Sequence, residues 1–153
     1  MVKSFLTQNS RATQKLAQDL IKKILKQNKR QARVIGLIGD LGSGKTTFCQ
    51  GLAKGLGVKE KILSPTFVIF RKFKIQNSNF KIFYHFDCYR IEKPKEILKL
   101  GFKKIIAQPE NIVVIEWAER IKKVLPRQTI ILYFALLDKN LRKITLKTKF
   151  MLK

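Results

Sequence analysis

Histidine, cysteine and carboxylates are scarce in this sequence, and each scarcity narrows what the chain can do. His85 is the one histidine among 153 residues, too few imidazoles for a histidine-built metal cluster. The two cysteines, Cys49 and Cys88, have no CxxC spacing, so both are expected to be free thiols that serve packing. Long apolar runs are missing as well. The longest clean one, Ile130 to Leu137, falls far short of a membrane span. The first residues, MVKSFLTQNSRATQK, contain no apolar segment followed by small residues, so they do not form a secretory signal. A cytoplasmic protein without membrane contact is expected. Only ten acidic residues oppose 33 basic ones, leaving a formal net charge of +23. Such a field attracts nucleic acid, nucleotides or an acidic protein partner. The basic residues are scattered rather than gathered into an arginine-rich stripe, so a lysine-rich solvated surface is the competing reading.

What is present describes a globular α/β protein. A hydrophobic content of 45% excludes disorder, and the length suits one domain spanning residues 1–153. Ala12, Leu16, Leu20 and Ile24 recur every fourth position, predicting an amphipathic helix over residues 10–27 with Ser10 as its N-cap. Residues 32–39 form a continuous apolar run of buried-strand length, followed by a glycine-rich loop and a helix from Lys45 to about Leu56 that stops at Gly57. Strands are expected over residues 66–73 and 80–87, joined by turn residues Asn77, Ser78 and Asn79. A helix over residues 94–107, a buried strand over 111–116 and a short helix in WAERIKKV come next. Asp138, Lys139 and Asn140 join two final strands, 128–137 and 141–150, in a hairpin. This alternation predicts an α/β three-layer sandwich of P-loop NTPase type with a mixed, partly antiparallel sheet.

The glycine-rich loop carries the clearest chemistry. Gly39-Asp40-Leu41-Gly42-Ser43-Gly44-Lys45-Thr46 fits the phosphate-binding pattern G-x-x-x-x-G-K-[ST], and it lies between a predicted buried strand and a predicted helix. The glycines let successive N–H groups turn inward on phosphate oxygens, and the helix N-terminus beyond them adds partial positive charge. Lys45 suits the β- and γ-phosphates of a nucleotide, the Thr46 hydroxyl suits magnesium, and Thr47 extends the cradle.

A P-loop needs acidic partners at the ends of neighbouring strands, and two candidates exist. Glu116 ends IVVIE and Asp87 ends FYHFD, so either or both would emerge where open α/β sheets bind ligands. One would serve magnesium and the other would orient the attacking water, which makes Thr46, Glu116 and Asp87 the candidate metal set. Thr66, within SPTF, sits where nucleotide switches place a threonine that senses the γ-phosphate; a plain loop-to-strand junction is the alternative. His85 shares its strand face with Asp87, and a structural role is favoured for it. Trp117 is either core or an aromatic contact near the nucleotide.

GDLGSGKTTF, SPTF, HFDCYR and IEWAER, in this order and spacing, closely resemble the TsaE family of small bacterial P-loop ATPases, also called the YjeE family. The resemblance runs from about Ser10 to Phe150. It implies an ATPase, weak alone and partner-dependent, that uses ATP and magnesium and supports formation of N6-threonylcarbamoyladenosine in tRNAs reading ANN codons. TsaB and TsaD are the implied protein partners, with tRNA met through their complex or directly. Lys45 and Thr46 match the family's Walker residues, Thr66 its switch threonine, Asp87 and Glu116 its acidic residues and Trp117 its EW tryptophan. Cys88 stands where the family often has leucine. A small-molecule P-loop kinase is the alternative enzyme, although no arginine-rich lid segment is visible between Ile91 and Pro126. A basic RNA-binding module that keeps nucleotide as a structural ligand is a third reading.

Overall fold

A computed structural model of the chain describes residues 1–63, 68–76 and 78–149. Seven strands form one sheet: β1 (Val2–Thr7), β2 (Arg33–Gly39), β3 (Phe70–Lys74), β4 (Ile82–Asp87), β5 (Asn111–Glu116), β6 (Ile130–Leu136) and β7 (Arg142–Lys147). Their spatial order is β1-β7-β6-β2-β5-β4-β3. The four inner strands β6, β2, β5 and β4 are parallel, whereas β3 on one side and β7 and β1 on the other pair antiparallel. Every residue of β5 is buried, which a strand covered on both faces requires and which explains its unbroken apolar run.

Helices α1 (Ser10–Leu25) and α2 (Lys45–Gly55) cover one sheet face, enclosing a core around Ile21, Ile24, Phe48, Leu52, Phe83 and Leu132. Short helices α3 (Lys95–Leu98) and α4 (Phe102–Ala107) and a 3-10 helix (Ala118–Val124) cover the other, over Phe86, Phe102, Val113 and Ile121. The expected three-layer α/β arrangement with a mixed sheet is therefore the observed one. Among the described residues no helix is long and apolar enough to cross a membrane.

Several local expectations are corrected. The N-cap of α1 is Asn9, not Ser10: its extended backbone (φ −161°) lets its side-chain oxygen accept from the Ala12 N–H at 2.7 Å, which makes Ser10 the first helical residue. The buried stripe of α1 is centred on Thr13, Ala17, Leu20, Ile21 and Ile24, leaving Ala12 and Leu16 at its margin. The single helix over 94–107 is two, because Gly101 takes φ +82° between them and ends the first run. β1 is an added edge strand, paired with β7 from Val2↔Lys147 to Thr7↔Arg142. β3 begins at Phe70, and the expected residues Asn77 and Phe150 lie outside the described residues, as do Ser64 to Phe67.

Candidate active site

β2 delivers the chain into the loop from Asp40 to Gly44, and α2 leaves it at Lys45. Two glycines set the loop's shape. A Cβ on Gly39 would stand 2.7 Å from the Phe134 carbonyl and 2.8 Å from Ser43 Oγ, so only glycine fits against β6. Gly44 takes φ +106° and caps α2 without any side-chain hydrogen bond, which leaves the first-turn N–H groups of α2 for a ligand. Ser43 N–H donates to Asp40 O at 3.1 Å, while its hydroxyl is buried and has no partner among the described residues. Leu41 projects from the loop, 81% exposed.

Lys45 is buried, and its ammonium donates to the carbonyls of Gly39 and, at 2.9 Å, Asp40. It also lies 4.3 Å from the centre of the Trp117 ring. Burial lowers its affinity for a proton, against the opposing charges of Glu116, Glu119, Asp87 and Asp40. Thr46 Oγ1 donates to Glu116 Oε1 at 2.9 Å, joining the start of α2 to the end of β5. The other Glu116 oxygen meets His85 Nε2 at 2.6 Å, both side chains being buried. Asp87 is the in-register neighbour of Glu116 on β4 and accepts from the Tyr89 N–H at 3.0 Å. The parallel pairing of β4 and β5 thus sets the two carboxylates side by side at the carboxyl ends of their strands. Thr66 lies outside the described residues.

These groups line a pocket of about 510 Å³, in the usual range for a ligand site. Gly42, Gly44, Lys45, Thr46 and Thr47 line it together with Asp87, Glu116, Trp117, Tyr89 and Arg142. Trp117 has φ +59°, the one non-glycine residue described with a positive φ, at the point where β5 passes into the 3-10 helix. A bulky residue adopts this conformation only where its surroundings hold it there. Its ring sits 5.0 Å from that of the half-exposed Tyr89, with the Arg120 guanidinium 5.7 Å from it and 5.8 Å from Tyr89.

The family model described as threonylcarbamoyl adenosine biosynthesis protein TsaE matches residues 7–144. The chain belongs to the TsaE family. A protein from Rickettsia felis named tRNA threonylcarbamoyladenosine biosynthesis protein TsaE is 41% identical over 135 residues, covering 88% of this chain and 73% of the relative. One of the same name from Rickettsia typhi is 40% identical over 126 residues, covering 82% of this chain and 84% of the relative. Among solved structures, YdiB of Bacillus subtilis superposes with a TM-score of 0.75 at 25% identity, covering 97% of this chain and 86% of that one. The family is shown by sequence, and the likeness to YdiB extends over nearly the whole of the α/β fold described above.

Sequence reasoning met this TsaE-family site differently at three residues. It favoured a structural role for His85, and the structure sets the ring on the Glu116 carboxylate, with Nδ1 buried and unpartnered among the described residues. The alternation of His85 and Asp87 on β4 was the available signal. Trp117 combines its two readings, bordering the pocket while packing on the second core. Arg142 had no signal, since its approach to Gly44 depends on a strand from the far end of the chain. The cysteines are free and buried as expected, and burial pushes the Cys88 thiol up to about 12 and the Cys49 thiol well above its ordinary value. A donor atom from each of Cys49, His85 and Glu116 lies within 4.8 Å of the others, a closer gathering than one histidine suggested.

Proposed function

We propose that the protein binds and hydrolyses ATP with magnesium at this cradle, as the accessory ATPase of the machinery that forms N6-threonylcarbamoyladenosine in tRNAs reading ANN codons. TsaB and TsaD are its partners, and tRNA is met through their complex. The observation that carries the reading is the contact of Thr46 with Glu116, made beside the P-loop lysine. A hydroxyl and a carboxylate held 2.9 Å apart are oxygen donors of the kind a hard divalent cation selects. With the buried Ser43 hydroxyl in the loop, which has no partner among the described residues, they make a site whose chemistry suits magnesium and phosphate. Thr46 and Glu116 would hold the ion, with Asp87 beside them, and bound magnesium would supply neutralising charge to the phosphates.

The chain's own groups account for the remaining work. The N–H groups of the loop and of the first turn of α2 bind the phosphate oxygens. Lys45 exchanges the carbonyls of Gly39 and Asp40 for β- and γ-phosphate oxygens, where its charge opposes the negative charge of the transition state. Asp87, nearer solvent than Glu116, orients the attacking water and takes its proton. His85 holds the Glu116 carboxylate in its orientation. Thr66 senses the γ-phosphate.

Phosphate release measured from ATP alone, with tRNA, and with TsaB and TsaD tests the proposal. Slow release alone and a marked rise with the protein partners is the expected pattern. Absence of release under all three conditions would refute the hydrolytic role. Modification of tRNA that proceeds through many turnovers without this protein would refute the biosynthetic one.

A further inference from the structure

The three strands β6, β7 and β1, at one side of the sheet, have one covered face and one open face. The first core, under α1 and α2, takes Leu132, Ile144 and Leu146 from the covered face. The second core, under α3, α4 and the 3-10 helix, draws on β2, β4 and β5 but, among the described residues, on none of β1, β6 or β7. The other face of this wing is therefore left to solvent. Thr145 on β7 pairs with Tyr133 on one side and Ser4 on the other, and strand alternation turns Lys143 and Lys147 to that same face. Both lysines are exposed and Tyr133 is 39% exposed. Val2 and Leu6, their partners on β1, are 65% and 64% exposed.

The charge on this face has one sign. None of the ten acidic residues lies on β1, β6 or β7. Lys143 and Lys147 are four residues apart, roughly 13 Å along the strand, and Tyr133 stands opposite the residue midway between them. The Lys147 ammonium is 5.5 Å from the centre of the Tyr133 ring. A ring flanked by two positive charges on an open sheet matches a strand of nucleic acid whose base is free to stack and whose phosphates lie to either side. The ring favours bases over lipid headgroups or acidic side chains, which bring charge without a flat face. We propose that the open face of β6, β7 and β1 binds single-stranded RNA, an unpaired base stacking on Tyr133 and the flanking phosphates meeting Lys143 and Lys147. The choice of RNA over DNA rests on the proposed role in tRNA modification, and the strand is one that the partner complex presents. Part of the large positive excess of the chain thereby gains a defined use.

Fluorescence anisotropy of the whole chain with a labelled unstructured RNA oligonucleotide, over a series of salt concentrations, tests this without nucleotide or partner proteins. Tyr133→Ala should weaken binding about tenfold, the loss expected for one stacked base, and Tyr133→Phe should restore it. The double variant Lys143→Gln/Lys147→Gln should weaken binding and flatten the salt dependence by about 1.4 in log–log slope. Lys22→Gln/Lys23→Gln removes the same charge from exposed positions on α1, over the opposite sheet face, and should change affinity far less. Equal losses in the two double variants would overturn the proposal in favour of diffuse charge. Wild-type affinity in Tyr133→Ala, or tighter binding to a duplex RNA or to phosphatidylserine vesicles than to the single strand, would overturn it as well. Magnesium–ATP binding should be unchanged in every one of these variants, so failure here leaves the cradle reading standing, and a wild-type chain that binds RNA but no ATP would overturn the cradle reading alone.

Discussion

Glu116 is the residue whose replacement tests most of the site at once. Its two oxygens are both engaged, one by Thr46 and one by His85, and its side chain is buried. Glu116→Gln keeps the shape and one acceptor oxygen, and its amide N–H₂ can donate to His85 in the tautomer that leaves Nε2 unprotonated. Two hydrogen bonds to a charged group, each contributing about 1.5–3 kcal/mol, become neutral bonds of about 0.5–1.5 kcal/mol. The loss is roughly 2 kcal/mol, or about 4–8 °C in melting temperature for a chain of this size. Turnover should fall about a hundredfold or more, equivalent to about 2.7 kcal/mol of barrier, with weaker binding of magnesium–ATP. Glu116→Ala differs in kind. It strands the buried His85 imidazole and frees the half-buried Thr46 hydroxyl, costing roughly 3 kcal/mol or more, a large share of a typical total stability of about 5–15 kcal/mol. Melting curves for both variants, followed by phosphate release in the presence of TsaB and TsaD, give the comparison. If Glu116→Ala melts with wild type, the buried network carries no energy. If Glu116→Gln hydrolyses ATP at the wild-type rate, Glu116 has no part in the chemistry.

Four further outcomes are expected. Thr46→Ala should weaken nucleotide binding in magnesium more than in a chelator, and equal losses in calorimetry would argue against a metal contact. Asp87→Asn should reduce turnover by about a hundredfold with little change in magnesium–ATP affinity, and single-turnover kinetics would reveal the reverse if Asp87 instead served binding. His85→Gln, which returns a nitrogen near Nε2, should keep turnover within about tenfold of wild type where His85→Leu does not; equal loss in both would remove His85 as the residue that positions Glu116. Burial raises the Cys88 thiol from 9.0 to about 12, aided by Asp87 and Glu119 and opposed by Arg120. The unfolded chain therefore gives up this proton first, so the contribution to stability is whole below about pH 9 and declines by about 1.4 kcal/mol per pH unit between about 9 and 12. Urea midpoints followed from neutral pH to about pH 10 should fall more steeply in wild type than in Cys88→Ala, and matching slopes would contradict the buried-thiol account.

The elements legible in the sequence were those whose cause is local. The apolar run of β5 needs both faces covered, and it was read to its ends at Asn111 and Glu116. The loop and the start of α2 at Lys45 followed from a glycine-rich pattern, Gly39 to Thr46, set between a buried strand and a helix. β1 was missed because its partner β7 lies at the other end of the chain, with Val2 paired to Lys147, so no turn announced it. The break at Gly101 was hidden by apolar residues on both sides that continue a helical spacing. The gathering of Asp87 beside Glu116 was anticipated from strand ends, whereas the His85 contact needed the register of β4 on β5, which pairs His85 with Val114 and Asp87 with Glu116. The left-handed backbone of Trp117 leaves no mark in residue order at all.

The few carboxylates of the chain also bear on the order in which ligands arrive. Of ten acidic residues, four, Asp40, Asp87, Glu116 and Glu119, are close enough to Lys45 to act on its charge. The rest of the molecule carries a large positive excess, so a free magnesium ion meets repulsion on approach, while a nucleotide that already holds the ion is still an anion and is drawn in. The acids then act at short range, once the complex has reached the cradle. Metal and nucleotide enter together on this account, and raising the ionic strength slows their entry more than it slows their escape.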